Sequence, residues 1–117
     1  MDKAKISWLI LLIYMFLIFY YSTTEELDLL KDIPEFNYKD KLFHFIEYGI
    51  LGFLTFNAFK HNKFLNEKVF FYSIMLSIIY GILIEINQIF IPSREFEILD
   101  IAANTFGSLL ILLKKLF

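Results

Sequence analysis

Four apolar runs, about Ile6 to Tyr21, Leu42 to Phe59, Val69 to Ile91 and Ile98 to Leu113, occupy most of this 117-residue chain. Each approaches the roughly 20 residues that a membrane-spanning helix needs. A soluble domain of this length buries only part of its surface in one core. With 58% hydrophobic residues and fifteen phenylalanines, the chain has more apolar surface than such a core holds. The runs lack the alternation of barrel strands, and a bilayer offers no partner to unpaired backbone groups, so helices are expected rather than strands. The sequence therefore predicts an all-α integral membrane protein: a four-helix transmembrane bundle forming a single domain over residues 1–117. The first and fourth runs are short, which local thinning and snorkelling flanks accommodate.

The first run follows Lys3 and Lys5, a start shared with secretory signal peptides, but it ends in Phe19, Tyr20 and Tyr21. No small-x-small cleavage site follows in Ser22-Thr23-Thr24-Glu25, so the segment reads as a retained helix. The absence of cysteine removes disulfides, thiolate metal sites and cysteine nucleophiles. Three connections remain. The 22–39 loop is acidic, and a short interfacial helix is expected from Glu25 to Asp32, before Pro34. The 60–68 loop is basic, and Pro92-Ser93-Arg94-Glu95 makes a tight link in which Pro92 ends the third helix.

Charge distribution predicts orientation. Lys3, Lys5, Lys60, Lys63, Lys68, Lys114 and Lys115, seven of the eleven basic residues, fall at the termini and in the second loop. Lys31, Lys39, Lys41 and Arg94 fall on the other side. The positive-inside rule then places both termini in the cytoplasm, and the 22–39 loop and the Pro92 link outside.

The polar residues inside the runs are ordered. Asp40, His44, Glu47, Tyr48, Leu51 and Thr55 recur at three- and four-residue spacing, which stacks them on one helix face. Ser77, Gly81, Glu85 and Gln88 do the same in the third run, and Asp100, Asn104, Gly107 and Ser108 in the fourth. At 1.5 Å per residue, His44, Glu85 and Asn104 lie roughly 5 to 9 Å below their outer helix ends, at one level. A lipid-facing carboxylate is expensive, so the three stripes are expected to face each other, with Arg94 and Lys41 neutralising Glu85, Asp40 or Asp100. Gly81 and Gly107 permit close approach.

Interhelical hydrogen bonds that fix register account for some of these residues. So many polar groups in the outer quarter of a small bundle exceed that need and point to a functional cavity. The candidate cluster is Asp40, Lys41, His44, Tyr48, Glu85, Gln88, Arg94, Asp100 and Asn104, with Glu47 beside it. His44 and Glu47 at i, i+3 are too few ligands to predict a metal. Neither a metal nor a cofactor is expected.

Asp40-Lys41-Leu42-Phe43-His44 with Tyr48, Glu85-Ile86-Asn87-Gln88 followed by Pro92-Ser93-Arg94, and Asp100 with Asn104 and Gly107 form three ordered blocks across residues 40 to 108. In that order and spacing the chain resembles the VanZ-like family of small bacterial membrane proteins. Ser93 stands where the family often has glycine. The resemblance implies a polytopic protein of the bacterial cytoplasmic membrane, and the family's name-giving members are linked to low-level resistance to the glycopeptide teicoplanin. It implies no particular reaction.

Two functional readings follow, and catalytic residues are not assigned. In the first, an outward pocket binds the phosphate- or carboxylate-bearing head group of an envelope lipid or lipid-linked cell-wall precursor through Lys41 and Arg94. In the second, a membrane enzyme uses Glu85 or His44 as general base on a lipid-linked substrate. A purely structural bundle is the third reading. A proton or solute path is disfavoured by the apolar inner half. Membrane lipids are the expected partners, and nucleic acid is not.

Overall fold

The computed structural model describes residues 2–23, 39–61, 68–90 and 98–115. These form four α-helices: α1 (Lys3–Thr23), α2 (Lys39–Phe59), α3 (Val69–Gln88) and α4 (Ile98–Ser108). A 3-10 segment, Leu109–Lys115, continues α4. The expected interfacial helix at 25–32, the Pro92 link and Arg94 lie outside the described residues.

The helices begin and end for local reasons. Asp2 caps α1, its side-chain oxygen accepting the Lys5 N–H at 2.9 Å. At the other end of the described α3, the Ile89 and Phe90 amides donate to Ile86 and Asn87, i to i−3 bonds that tighten the last turn ahead of Pro92. The α-helix thus stops at Gln88, short of the apolar run's end at Ile91. Three of the helices are long and apolar enough to cross a membrane: Lys3–Ser22, Lys41–Phe59 and Val69–Gln88. α4 has only 11 α-helical residues before its geometry tightens.

Packing inverts the order of a water-soluble protein. Leu12, Phe16, Phe71, Leu83 and Phe106 point outward, while Thr55, Ser73, Ser77, Glu85, Asn104 and Ser108 are buried. Such an arrangement is stable where the surroundings are hydrocarbon and polar groups must find partners inside. α2 is the hub and packs on α1, α3 and α4. α1 is peripheral: 11% of its span is buried, through residues such as Leu11 and Ile18.

Glycines set the α2–α4 crossing. A β-carbon on Gly107 would overlap the Phe45 carbonyl oxygen and lie 3.1 Å from the Gly49 nitrogen, so the two backbones touch there. On the opposite helix, a β-carbon on Gly52 would stand 3.2 Å from the Ser108 carbonyl oxygen. Small residues at such contacts let packing replace the hydrophobic drive that lipid removes. At the Phe59 end of α2, Phe56, Val69 and Ile111 form an apolar cluster with Phe59, Phe70 and Ile74 around them. The Phe56 and Phe70 rings lie 4.7 Å apart, and Lys114 Nζ sits 4.6 Å above the Phe56 ring.

Candidate functional site

The polar stripes of α2, α3 and α4 converge at the end opposite the Phe56 cluster. Lys41 and Asp100 lie in the first turns of α2 and α4, and the tight α2–α4 crossing brings them together. Lys41 Nζ is 2.8 Å from Asp100 Oδ1. His44, one turn further along α2, places Nε2 3.6 Å from Asp100 Oδ2. The three side chains are largely withdrawn, with exposures of 19% for Lys41, 18% for His44 and 9% for Asp100. Of the cations proposed to balance the buried acids, Lys41 is seen against Asp100.

Beneath this ionic layer lies a neutral one. Tyr48, Ser77 and Asn104 are buried, and a β-carbon on Gly81 would stand 3.1 Å from both Asn104 Nδ2 and Tyr48 Cε1. Gly81 therefore brings α3 against Tyr48 of α2 and Asn104 of α4 at one point. The Tyr48 hydroxyl, Ser77 Oγ, both amide atoms of Asn104 and His44 Nδ1 have no hydrogen-bond partner among the described residues. A buried polar group left unpaired costs roughly 1–3 kcal/mol, so this cluster is an expensive set of residues to bury together. Glu85, fully buried on α3, lies one turn from Gly81 toward the ionic layer.

Other polar groups are committed locally. The hydroxyls of Thr55, Ser73 and Ser108 donate to the carbonyls of Leu51, Val69 and Asn104, four residues back on their own chain, at 2.6, 2.7 and 2.9 Å. Hydroxyls used this way do not tie one helix to another. Among the described residues, hydrogen bonds between helices instead involve α1, which the stripe pattern leaves out. The Tyr14 hydroxyl donates to the Glu47 carbonyl at 2.7 Å, Tyr80 donates to the Met15 carbonyl, and Gln88 Nε2 donates to the Ser22 carbonyl at 3.0 Å. Gln88 thus closes the site's flank against α1.

Of the residues singled out in the sequence, Lys41, His44 and Asp100 meet directly, and Tyr48 and Asn104 meet at Gly81. Glu85 and Gln88 are buried on the same face of α3. Asp40 occupies the first turn of α2, but its side chain, like Arg94, lies outside the described residues. Asn87 and His61, which fall off the stripes, are exposed. Among the described residues no group of three His, Cys, Asp or Glu side chains is placed to hold a metal ion.

Residues 6–114 match the model of the VanZ/LLP1 family. No curated protein and no solved structure matches the chain. The matched region takes in all four α-helices except the first residues of α1, and with them the ionic and neutral layers. With a match of that extent, and with helices long and apolar enough to cross a bilayer, the chain belongs to the VanZ/LLP1 family of membrane proteins.

Proposed function

We propose that this chain is a multi-pass protein of the bacterial cytoplasmic membrane whose outward-facing polar pocket binds an anionic envelope head group. The ligand class is the phosphate- or carboxylate-bearing lipid or lipid-linked cell-wall precursor, and the link to teicoplanin tolerance rests on the family resemblance rather than on the site. Both termini lie in the cytoplasm and α4 is the fourth span. At 1.5 Å per α-helical residue and about 2.0 Å per 3-10 residue, α4 and its extension reach about 30 Å, the thickness of the hydrocarbon layer.

The observation that carries this reading is the Lys41–Asp100–His44 layer lying over unpartnered buried polar atoms. Lys41 places a positive charge in the first turn of α2, beside Asp100. Arg94, from the segment between α3 and α4, is the second proposed cation, and its fork suits phosphate or carboxylate oxygens. Glu85 and Gln88, buried on one face of α3, complete the pocket wall, and Asp40 joins the proposed cluster by its sequence register on the α2 stripe. The Phe56–Val69–Ile111 cluster at the far end supports a one-sided pocket rather than a path across the membrane.

One observation favours a second reading, a membrane enzyme. His44 presents one ring nitrogen to Asp100, while Nδ1 is buried with no partner among the described residues. An imidazole beside a carboxylate can serve as a general base once the two close to hydrogen-bond distance. Turnover of a lipid-linked substrate that is lost in His44→Gln, with binding retained, would establish the enzyme. Binding without turnover keeps the first reading. A purely structural role fits less well, because Thr55, Ser73 and Ser108 bond within their own helices.

A further inference from the structure

The helix ends around Lys41 and Asp100 are apolar on their outer faces. On α3, Ile79, Leu83, Ile86 and Phe90 recur at four- and three-residue spacing and are all exposed, so one stripe runs up the helix. Its lower part lies within the membrane-length span Val69–Gln88. The stripe continues through the tightened last turn to Phe90, and Ile89 beside it is exposed as well. On α2 the exposed stripe is Leu42, Ile46, Ile50 and Phe53, beginning next to Lys41. On α4, Ile98 and Leu99 are exposed just before Asp100, and Leu99 shares a face with Phe106 seven residues on. With 77% and 74% of their surfaces uncovered, Phe90 and Ile98 are the most exposed large apolar side chains among the described residues.

The opposite ends are built differently. There the exposed residues that close the same helices are lysines: Lys60 after α2, Lys68 before α3 and Lys114 in the 3-10 extension of α4. A lysine at a helix end carries its charge to the aqueous surface. Leu42, Phe43, Ile89, Phe90, Ile98 and Leu99 do the reverse, since apolar area gains from leaving water. Hydrocarbon is the surrounding of the α2 and α3 spans, and the unbroken stripes give the helix ends the same neighbour. Asn87, exposed three residues before Phe90, carries no charge, and its amide donors suit the zone of lipid ester carbonyls.

Resting on the anion-pocket reading and the orientation given with it, we propose that the outer ends of α2, α3 and α4 form an apolar collar immersed in the outer leaflet. The Lys41–Asp100 layer is then reached from the bilayer and takes an anion only when a lipid presents it. Asp100 lies two residues past Ile98, about 3 Å deeper at a rise of 1.5 Å per residue, and Lys41 directly precedes Leu42. The ion pair thus sits at the level of the collar. A phosphate free in water has to give up hydration to come that far, whereas a lipid already holds its phosphate at the leaflet surface.

The test has two arms, both on the purified full-length protein in a bilayer. Trp8 is the chain's one tryptophan, so Trp8→Phe, which keeps a ring against Phe59, gives a dark background for Phe90→Trp and Ile98→Trp. Both positions are exposed, so neither change disturbs the packing. Each new indole should emit at short wavelength, be quenched by phosphatidylcholine brominated on its acyl chains, and escape aqueous iodide. Quenching by iodide and none by the brominated lipid overturns the collar. In the second arm, phosphatidylglycerol retained by the wild type from mixed nanodiscs is read by native mass spectrometry with glycerol phosphate or inorganic phosphate added. Neither should reduce it below the level seen with chloride at equal ionic strength. A loss beyond the chloride control overturns the lipid-only route and leaves an anion pocket open to water. No preference for phosphatidylglycerol over phosphatidylcholine removes the anion pocket and the route with it, while the two indoles report on the collar by itself.

Discussion

Lys41 on α2 and Asp100 on α4 form an ion pair at 2.8 Å in the first turns of two helices whose backbones touch at Gly107. The pair sits above a neutral layer and opposite an apolar cluster, so the bundle has one polar end. Asp100 has a different group near each oxygen, the Lys41 ammonium at Oδ1 and the His44 imidazole 3.6 Å from Oδ2.

Removing one member of this pair leaves the other partly withdrawn and uncompensated. Lys41→Met or Asp100→Asn should destabilise the protein by about 1–3 kcal/mol, the lower part of the range for buried pairs because both side chains keep some exposure. The double variant should recover part of that loss. Reversible unfolding in detergent across the four proteins measures the coupling, and strictly additive losses would show that the pair contributes nothing.

Gly107 and Gly49 face each other but differ in what a methyl group would meet. On Gly107 it overlaps the Phe45 backbone oxygen, whereas on Gly49 it lies 2.9 Å from the end of the flexible Leu110 side chain. Gly107→Ala should therefore cost about 3 kcal/mol or displace α4, and Gly49→Ala about 1 kcal/mol or less. Comparable thermal stabilities for the two variants would contradict the α2–α4 backbone contact.

The hydrogen bond from Tyr14 to the Glu47 carbonyl ties α1 to the hub helix. Tyr14→Phe should lower stability by about 0.5 to 1.5 kcal/mol, the range for such bonds within membranes. The same unfolding assay checks it, and a fully neutral substitution would count against α1 being fastened there.

Replacing Arg94 by lysine keeps the charge but removes the planar fork. Head-group affinity should fall several-fold in Arg94→Lys, read by titration of a phosphate-bearing lipid. Unchanged affinity would remove the bidentate role.

The stripes on α2, α3 and α4 were legible because side-chain chemistry repeats at helical spacing, and the cost of a buried carboxylate called for Lys41 and Arg94 as partners without saying which acid each would take. The role of α1 was not legible. Its contributions at Met15 and Ser22 are backbone carbonyls, which every residue carries, and Tyr14 resembles any interfacial aromatic. The inward commitment of Thr55, Ser73 and Ser108 was equally hidden, since a hydroxyl in the sequence does not announce which acceptor it takes. The shift of Leu109–Lys115 to 3-10 geometry leaves no mark in a run whose composition suits an α-helix.

The most direct test of the account is native mass spectrometry of lipids that co-purify with the wild-type protein and with equally folded Lys41→Ala and Glu85→Ala variants. The account predicts an anionic lipid adduct on the wild type that is lost or sharply reduced in both variants. An adduct that persists unchanged in both, or none on the wild type, would contradict a head-group pocket and leave the polar cluster as the element that holds the helices in register.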